Sequence, residues 1–281
     1  MARFASGCGC AVAALVLGFA APAAAGTDVV VGAGAGVAPD YGGAEDYDAG
    51  PLPFLRLKWS GETAKAPDSG YKTSFGLIDA SAGFPQGIEF GIARISTPTR
   101  HLTFRVGGGW RAGRDQDDNA ALEGMGDVDG QPVLRLKLES EPAAKHGIGS
   151  FFGIGWETDV SGETHGDALS LYGGNTFALS ERATLKLIAR ATWFDDDYMR
   201  AYFGVSPAQA ARSGYSAYDA GAGLGDAGVE ARFRWAFTES WSLYGSIGVS
   251  RLIGEAADSP LVDDAGSATQ FRAGTGVAYR F

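Results

Sequence analysis

Apolar and polar residues alternate one for one in runs of roughly ten along most of the chain, and the last run ends on the final residue. Leu102, Phe104, Val106 and Trp110 alternate with His101, Thr103, Arg105 and Arg111. Leu134, Leu136 and Leu138 oppose Arg135 and Lys137, and Leu185, Leu187 and Trp193 oppose Lys186, Arg190 and Thr192. Val229, Phe233, Trp235 and Phe237 oppose Glu230, Arg232 and Arg234, and Trp241, Leu243, Ile247 and Val249 oppose Ser242, Tyr244, Ser246 and Ser250. A period of two sends the two sets to opposite faces of a strand. A soluble sandwich alternates in the same way, with its apolar face inward. Two features favour a membrane barrel instead. The runs match the ~9–11 residues of a tilted membrane-crossing strand, and aromatic residues gather at their ends. Those residues are Trp59, Trp110, Trp193, Trp235, Trp241, Tyr279 and Phe281.

The pattern predicts strands at 27–38, 50–59, 71–80, 86–96, 101–112, 131–140, 147–159, 165–179, 183–194, 217–236, 240–251 and 270–281. The fold class is therefore all-β, an antiparallel transmembrane β-barrel of about 12 strands, an even number as such barrels favour. Ten to 14 strands stay open, because 71–80 is weakly patterned and 217–236 is long enough for two. Phe271, Thr275, Val277, Tyr279 and Phe281 share one face of the last strand. A terminal strand with Phe last resembles the signal read by the outer-membrane assembly machinery.

Residues 1–25 read as a cleaved export signal, leaving 26–281 as the barrel and the outer membrane as its expected location. Arg3 supplies the positive charge, Ala11–Ala21 the apolar run and Ala23–Ala25 the small residues for cleavage. The run is too short to span a bilayer, and Pro22 interrupts it. Cys8 and Cys10 precede the apolar run, whereas a lipidated cysteine would follow it. Removal of the signal takes both cysteines with it, so disulfides and thiolate metal sites are not expected. No later stretch is apolar and long enough for a membrane helix.

The formal charge of −10 argues against a nucleic-acid partner, which would need a basic face. Basic residues lie within strands, opposite the apolar face, and Arg or Lys facing lipid at mid-bilayer would cost about 2–4 kcal/mol. Arg56, Arg105, Arg135, Arg190, Arg232 and Arg234 are therefore the candidate lumen residues, with Lys58, Lys137, Lys186, Arg272 and Arg280 beside them. Acidic residues collect between strands, at Asp40 to Asp48, Asp115 to Asp118, Asp127 and Asp129, Asp195 to Asp197, and Asp258 to Asp264. A charge network stiffening the wall is favoured over an anion-preferring pore, since a barrel this small is filled by its own side chains.

Chemistry is sparse. His165 lies near Ser161, Glu163 and Asp167, but no nucleophile motif accompanies them, and no enzyme activity is expected. The acidic runs at 115–119 and 127–130 do not complete a calcium-loop pattern, so no metal is predicted. Gly32, Gly34 and Gly36 lie within a strand and make no dinucleotide fingerprint, so no cofactor is predicted.

Several segments carry a resemblance. Pro39-Asp40-Tyr41-Gly42-Gly43-Ala44-Glu45-Asp46-Tyr47 is followed by Pro51-Leu52-Pro53. Gly113-Arg114-Asp115-Gln116-Asp117-Asp118 and Leu122-Glu123-Gly124-Met125-Gly126-Asp127-Val128-Asp129 come later, then Gly254-Glu255-Ala256-Ala257-Asp258-Ser259-Pro260-Leu261-Val262. In this order they resemble the MipA/OmpV family of outer-membrane proteins. The first and last blocks are the most specific, whereas Glu139 to Ala211 matches only in general character. The resemblance implies a barrel acting as a scaffold that brings a lytic murein transglycosylase together with a murein synthase. Other members are described as porin-like or as adhesins. The blocks make Pro39, Asp40, Tyr41, Asp46, Arg114, Asp117, Asp127 and Asp258 the candidate interaction loops, although Pro, Gly and Asp also serve turn chemistry. Outer-membrane lipid and lipopolysaccharide complete the expected partners.

Overall fold

The computed structural model describes residues 27–60, 68–84, 87–143, 147–162 and 165–281. The predicted signal at 1–25 lies outside the described residues. The alternating runs form twelve strands: β1 (Thr27–Pro39), β2 (Tyr47–Ser60), β3 (Lys72–Phe84), β4 (Gly87–Ser96), β5 (Arg100–Arg111) and β6 (Gln131–Pro142). They continue as β7 (Gly149–Asp159), β8 (Asp167–Ala178), β9 (Ala183–Phe194), β10 (Gly223–Ala236), β11 (Trp241–Leu252) and β12 (Thr269–Arg280). Each pairs antiparallel with its neighbours in sequence, and β1 pairs with β12, so the sheet closes into a barrel without a free edge.

Leu171, Val229, Ile247 and Phe271 lie more than half exposed on the outer face, the arrangement a lipid surround requires. Trp110 and Trp193 mark one end of the barrel. The other end has a tighter aromatic belt, with Trp235 against Phe237, Trp241 against Tyr279, and Tyr279 against Phe281, ring centroids 5.9, 5.1 and 4.9 Å apart. This second end carries both barrel termini and the short turns 97–99, 179–182 and 237–240.

The first end carries the long connections, 40–46, 112–130, 195–222 and 253–268, and they fold into a cap. Two helices stand in the β9–β10 connection. α1 (Asp196–Phe203) starts where the Asp195 side chain accepts from the Tyr198 N–H, with Asp196 and Asp197 in its first turn. α2 (Pro207–Ser213) opens on a reciprocal Ser206–Gln209 capping box with Pro207 in its first turn, and Gly214 ends it at φ 83°. A third helix, α3 (Pro260–Asp263), follows β11.

Two apolar clusters hold the cap. Met199 and Phe203 of α1 pack on Ala256 and Val262, and on Phe194, Ala168 and Leu252 at the ends of β9, β8 and β11. Tyr41, Ala44, Leu122, Met125, Val205 and Leu261 form the other. Burying each large side chain contributes about 1.5–3 kcal/mol, so these four connections make one folded unit seated in the barrel mouth. The span predicted as a strand at 217–236 is thus one strand from Gly223; the residues before it belong to the cap, where Tyr218 bridges Val205. Strand β2 begins earlier than expected, because Tyr47 pairs with Pro39.

Candidate functional site

Inside the barrel the two sides of the wall differ. On β3 to β8 charged side chains lock together. Asp79 accepts from Arg94 and, at 2.5 Å, from Arg105, whose Nε reaches Glu139 at 2.9 Å. Glu157 accepts from Arg111 at 3.0 Å and from Arg135 at 2.6 Å, Lys137 meets Glu89, and the Tyr172 hydroxyl donates to Glu139 at 2.6 Å. Register shifts beside Asp79 and between Gly91 and Ala93 bring Asp79 and Arg94 together, which is what bulges do to side-chain direction. Acidic residues therefore also stand within strands, not only between them; Asp79, Glu89, Glu139 and Glu157 were missed because each looks like an isolated polar position in a strand.

On the side formed by β1, β2 and β9 to β12 the wall is open. A cavity of about 680 Å³ is lined here by Gly36, Gly274, Leu52, Arg190, Arg232 and Arg272, among others. Arg232 pairs with Glu230 at 2.7 Å yet stays 53% exposed, while Arg190 and Arg272 have no ion-pair partner among the described residues. Lower down, Arg56 and Arg280 share Asp28 at 3.2 and 2.8 Å, and Arg234 donates to Tyr244 and Ser242.

The candidate interaction residues all fall at the capped end, and several are internal. Tyr41 and Arg114 are buried. The Tyr41 hydroxyl donates to the Leu261 carbonyl, and burial, with Tyr215 nearby, pushes it up to about 12. Arg114 donates to the Tyr202 carbonyl, and burial lowers its guanidinium pKa. Asp40 accepts from Asn119, and Pro39 ends β1. Asp46, Asp117, Asp127 and Asp258 are exposed. Asp40, Tyr41, Arg114, Asp118, Asn119 and Asp127 line a second cavity, of about 310 Å³, within the cap.

Among the described residues His165 is placed against Asp159. Its Nδ1 lies 3.8 Å from Asp159, which also accepts from the His165 and Ser161 backbones, and Asp167 accepts from Trp156. Glu163 lies outside the described residues. Asp115 and Asp127 accept from backbone N–H groups of the same loop, and no group of metal-binding side chains occurs among the described residues.

Comparison with known proteins gives a family and distant folds. The profile of the family described as MltA-interacting protein MipA matches residues 31–281. No curated protein matches the chain. An anion-selective porin from Comamonas acidovorans superposes with a TM-score of 0.42 at 9% identity, over 91% of this chain and 98% of that one. An outer-membrane channel from Pseudomonas putida F1 gives 0.41 at 11%, over 92% and 97%. The outer-membrane channel DcaP of Acinetobacter baumannii gives 0.37 at 11%, over 82% of this chain; the present chain spans only 63% of DcaP.

Proposed function

Because the chain belongs to the MltA-interacting protein MipA family and forms an outer-membrane β-barrel, we propose that it acts as a membrane-anchored scaffold for murein-remodelling enzymes. The observation that carries the reading is the cap. Four connections share apolar cores with Leu122, Met125, Met199 and Leu261 almost wholly buried, and they seat on inward residues of the barrel mouth. A mouth filled by a folded unit suits an anchor better than a wide diffusion pore. Barrels place their short turns in the periplasm. Murein enzymes would then dock at the end with the turns 97–99, 179–182 and 237–240, and the family's characteristic blocks would face outward, serving the cap.

Crosslinking in intact cells, followed by purification of the tagged barrel, tests this. A lytic transglycosylase or murein synthase recovered above an unrelated barrel control is the expected result. Recovery of outer-membrane proteins alone would remove the scaffold. The open side favours one second reading, a narrow channel passing small anions along Arg190, Arg232 and Arg272. Planar-bilayer recordings with no conductance above the empty bilayer would eliminate it.

A further inference from the structure

We propose that the open side of the lumen binds a long-chain carboxylate, which enters sideways from the bilayer through a notch in the wall. Every strand has two neighbours, yet the wall is not of even height. Strand β2 pairs with β3 only over Leu55–Ser60, and Leu55 meets Phe84, the last residue of β3. Strand β4 starts at Gly87, opposite Gly83, and its pairing with β5 begins at Ile88 and Gly108. The β3–β4 pair therefore stops short at the capped end. On one side of it β2 runs on through Tyr47–Pro53, paired with β1 alone among the described residues. On the other side β5 runs on through Trp110 and Arg111, paired there with β6 alone. Neighbouring strands lie about 4.8 Å apart, so the notch from β2 to β5 is roughly 14 Å wide. Pro51 and Pro53 fall on its β2 edge, where a strand tolerates a residue that cannot donate to a ladder. The 112–130 connection crosses above, where Asn119 donates to Asp40. The rim is apolar on its outer face: Pro51 and Pro53 are exposed, Ile88 is 50% exposed and Trp110 62%. With the short turns in the periplasm, the notch lies in the outer-leaflet half of the wall.

Behind it stand two surfaces that lack partners. The cavity of about 680 Å³ reaches the notch edge, since Asp48, Gly50, Pro51 and Leu52 line it. The Leu52 side chain lies across the seam within the barrel and stays 46% exposed. Gly36 and Gly274 leave the room it fills, because a Cβ at either would lie 2.6 or 3.0 Å from its Cδ1. Arg190 on β9 and Arg232 on β10 stand six strands from β3 and β4 in a ring of twelve, so they face the notch across the lumen. Carboxylates share this cavity, but only Glu230 forms an ion pair among the described residues, with Arg232. Arg190 and Arg272 are left for an anion. An inorganic anion would answer these arginines and leave Leu52 wet. A neutral lipid would cover Leu52 and leave the arginines unanswered. A carboxylate on an alkyl chain does both, its head accepting from guanidinium and its tail passing Leu52 to the apolar rim. The volume falls in the about 300–1,000 Å³ range of sites that hold one small ligand, which suits one chain rather than the two of a phospholipid.

The test uses the full barrel in nanodiscs of phosphatidylcholine, with a palmitate carrying a diazirine at the end of its chain. Saturable photolabelling of Pro51–Pro53 or Trp110 is expected, competed by palmitate and not by hexadecanol or acetate. The double variant Arg190→Gln with Arg272→Gln should weaken labelling about tenfold or more, and Leu52→Asn should weaken it too. Glu239→Gln, in a turn at the opposite end, should leave it unchanged. Absence of saturable labelling, equal competition by hexadecanol, acetate or phosphatidylglycerol, or indifference to both lumen variants would overturn the site. Should the double variant lose the heat-modifiable band of a folded barrel, Leu52→Asn decides alone. Neither partner capture nor conductance enters this result, so the scaffold and channel readings stand or fall separately.

Discussion

The two sides of the barrel wall solve the same problem by opposite means. On β3 to β8 the inward surface is crowded and charged, and its arginines are each paired with a carboxylate: the Arg94, Arg105 and Arg111 side chains are 9%, 11% and 8% exposed. Along Gly32 to Gly36 of β1 the inward surface is nearly bare. Gly32, Gly34 and Gly36 face Ala278, Gly276 and Gly274 across the closing seam, and the arginines nearby stay in contact with water. One side is held by what its side chains bind; the closing seam of the other, at Gly32 to Gly36, is held by having almost none. Stability should therefore depend on charge in one half and on backbone approach in the other, while ion passage should be sensitive only where the arginines are free.

The largest effect is expected at Asp79. It is the common acceptor for Arg94 and Arg105, so Asp79→Ala leaves two buried guanidiniums short of a carboxylate. Removing one member of a buried ionic group costs about 3–5 kcal/mol. Urea unfolding of the barrel in phospholipid vesicles measures it. An unchanged midpoint would mean that the charged side is not held by its ion pairs.

Gly34 asks the same question of the seam. A Cβ there would run into the backbone carbonyl of Thr275 and meet the Cα of Gly276 at 2.8 Å, and neither can swing away as a side chain would. Gly34→Ala should cost toward the upper end of the roughly 1–3 kcal/mol typical of overpacking, and should impair heat-modifiability. Gly108→Ala is the control on the other side, since its nearest neighbour would be 3.4 Å away. Equal losses at both positions would erase the distinction.

How much of this was legible in the sequence follows from the range of the interactions. Strand existence is a local, period-two property, and Leu102, Phe104 and Trp110 declare it without reference to any other segment. The tight pairing of Arg105 with Asp79 and Glu139 is not local, because it depends on register and on two bulges in other strands. The cap was the least legible part. Its core joins Tyr41, Leu122, Val205 and Leu261 from four connections, each of which looks like a polar loop when met alone. One signal was available: Ser206-Pro207 with Gln209 is a capping box with proline at the first helical position, and it announces α2. Similarly, Asp195 looks like one of a run of loop acids in sequence, whereas it caps α1.

A smaller loss is expected at Tyr172, on the charged side. Its hydroxyl donates to Glu139, which keeps Arg105 when the hydroxyl is gone. Tyr172→Phe should therefore cost about 1–2 kcal/mol, the value of one hydrogen bond to a charged acceptor that retains another partner. The same unfolding assay checks it. A loss as large as that of Asp79→Ala would show that the network acts as a single unit rather than as separable pairs.

Arg190 should be the quietest of all in stability and the most telling for the lumen. It lies on β9 beside the 680 Å³ cavity, exposed to water and without an ion-pair partner among the described residues. Folding therefore gains little from its charge, and Arg190→Gln should change stability by no more than about 0.5 kcal/mol. The charge still faces whatever moves along that wall. If the barrel conducts, removing a positive charge from a confined, poorly screened space lowers the preference for anions, so the reversal potential in a salt gradient should move toward cation selectivity. Arg105→Gln makes the reciprocal case, with a large stability loss expected because Asp79 and Glu139 would lose their shared cation. Arg190→Gln costing as much as Arg105→Gln would mean that the open side is held by its charges too, and the division of the wall into a paired half and a free half would fail.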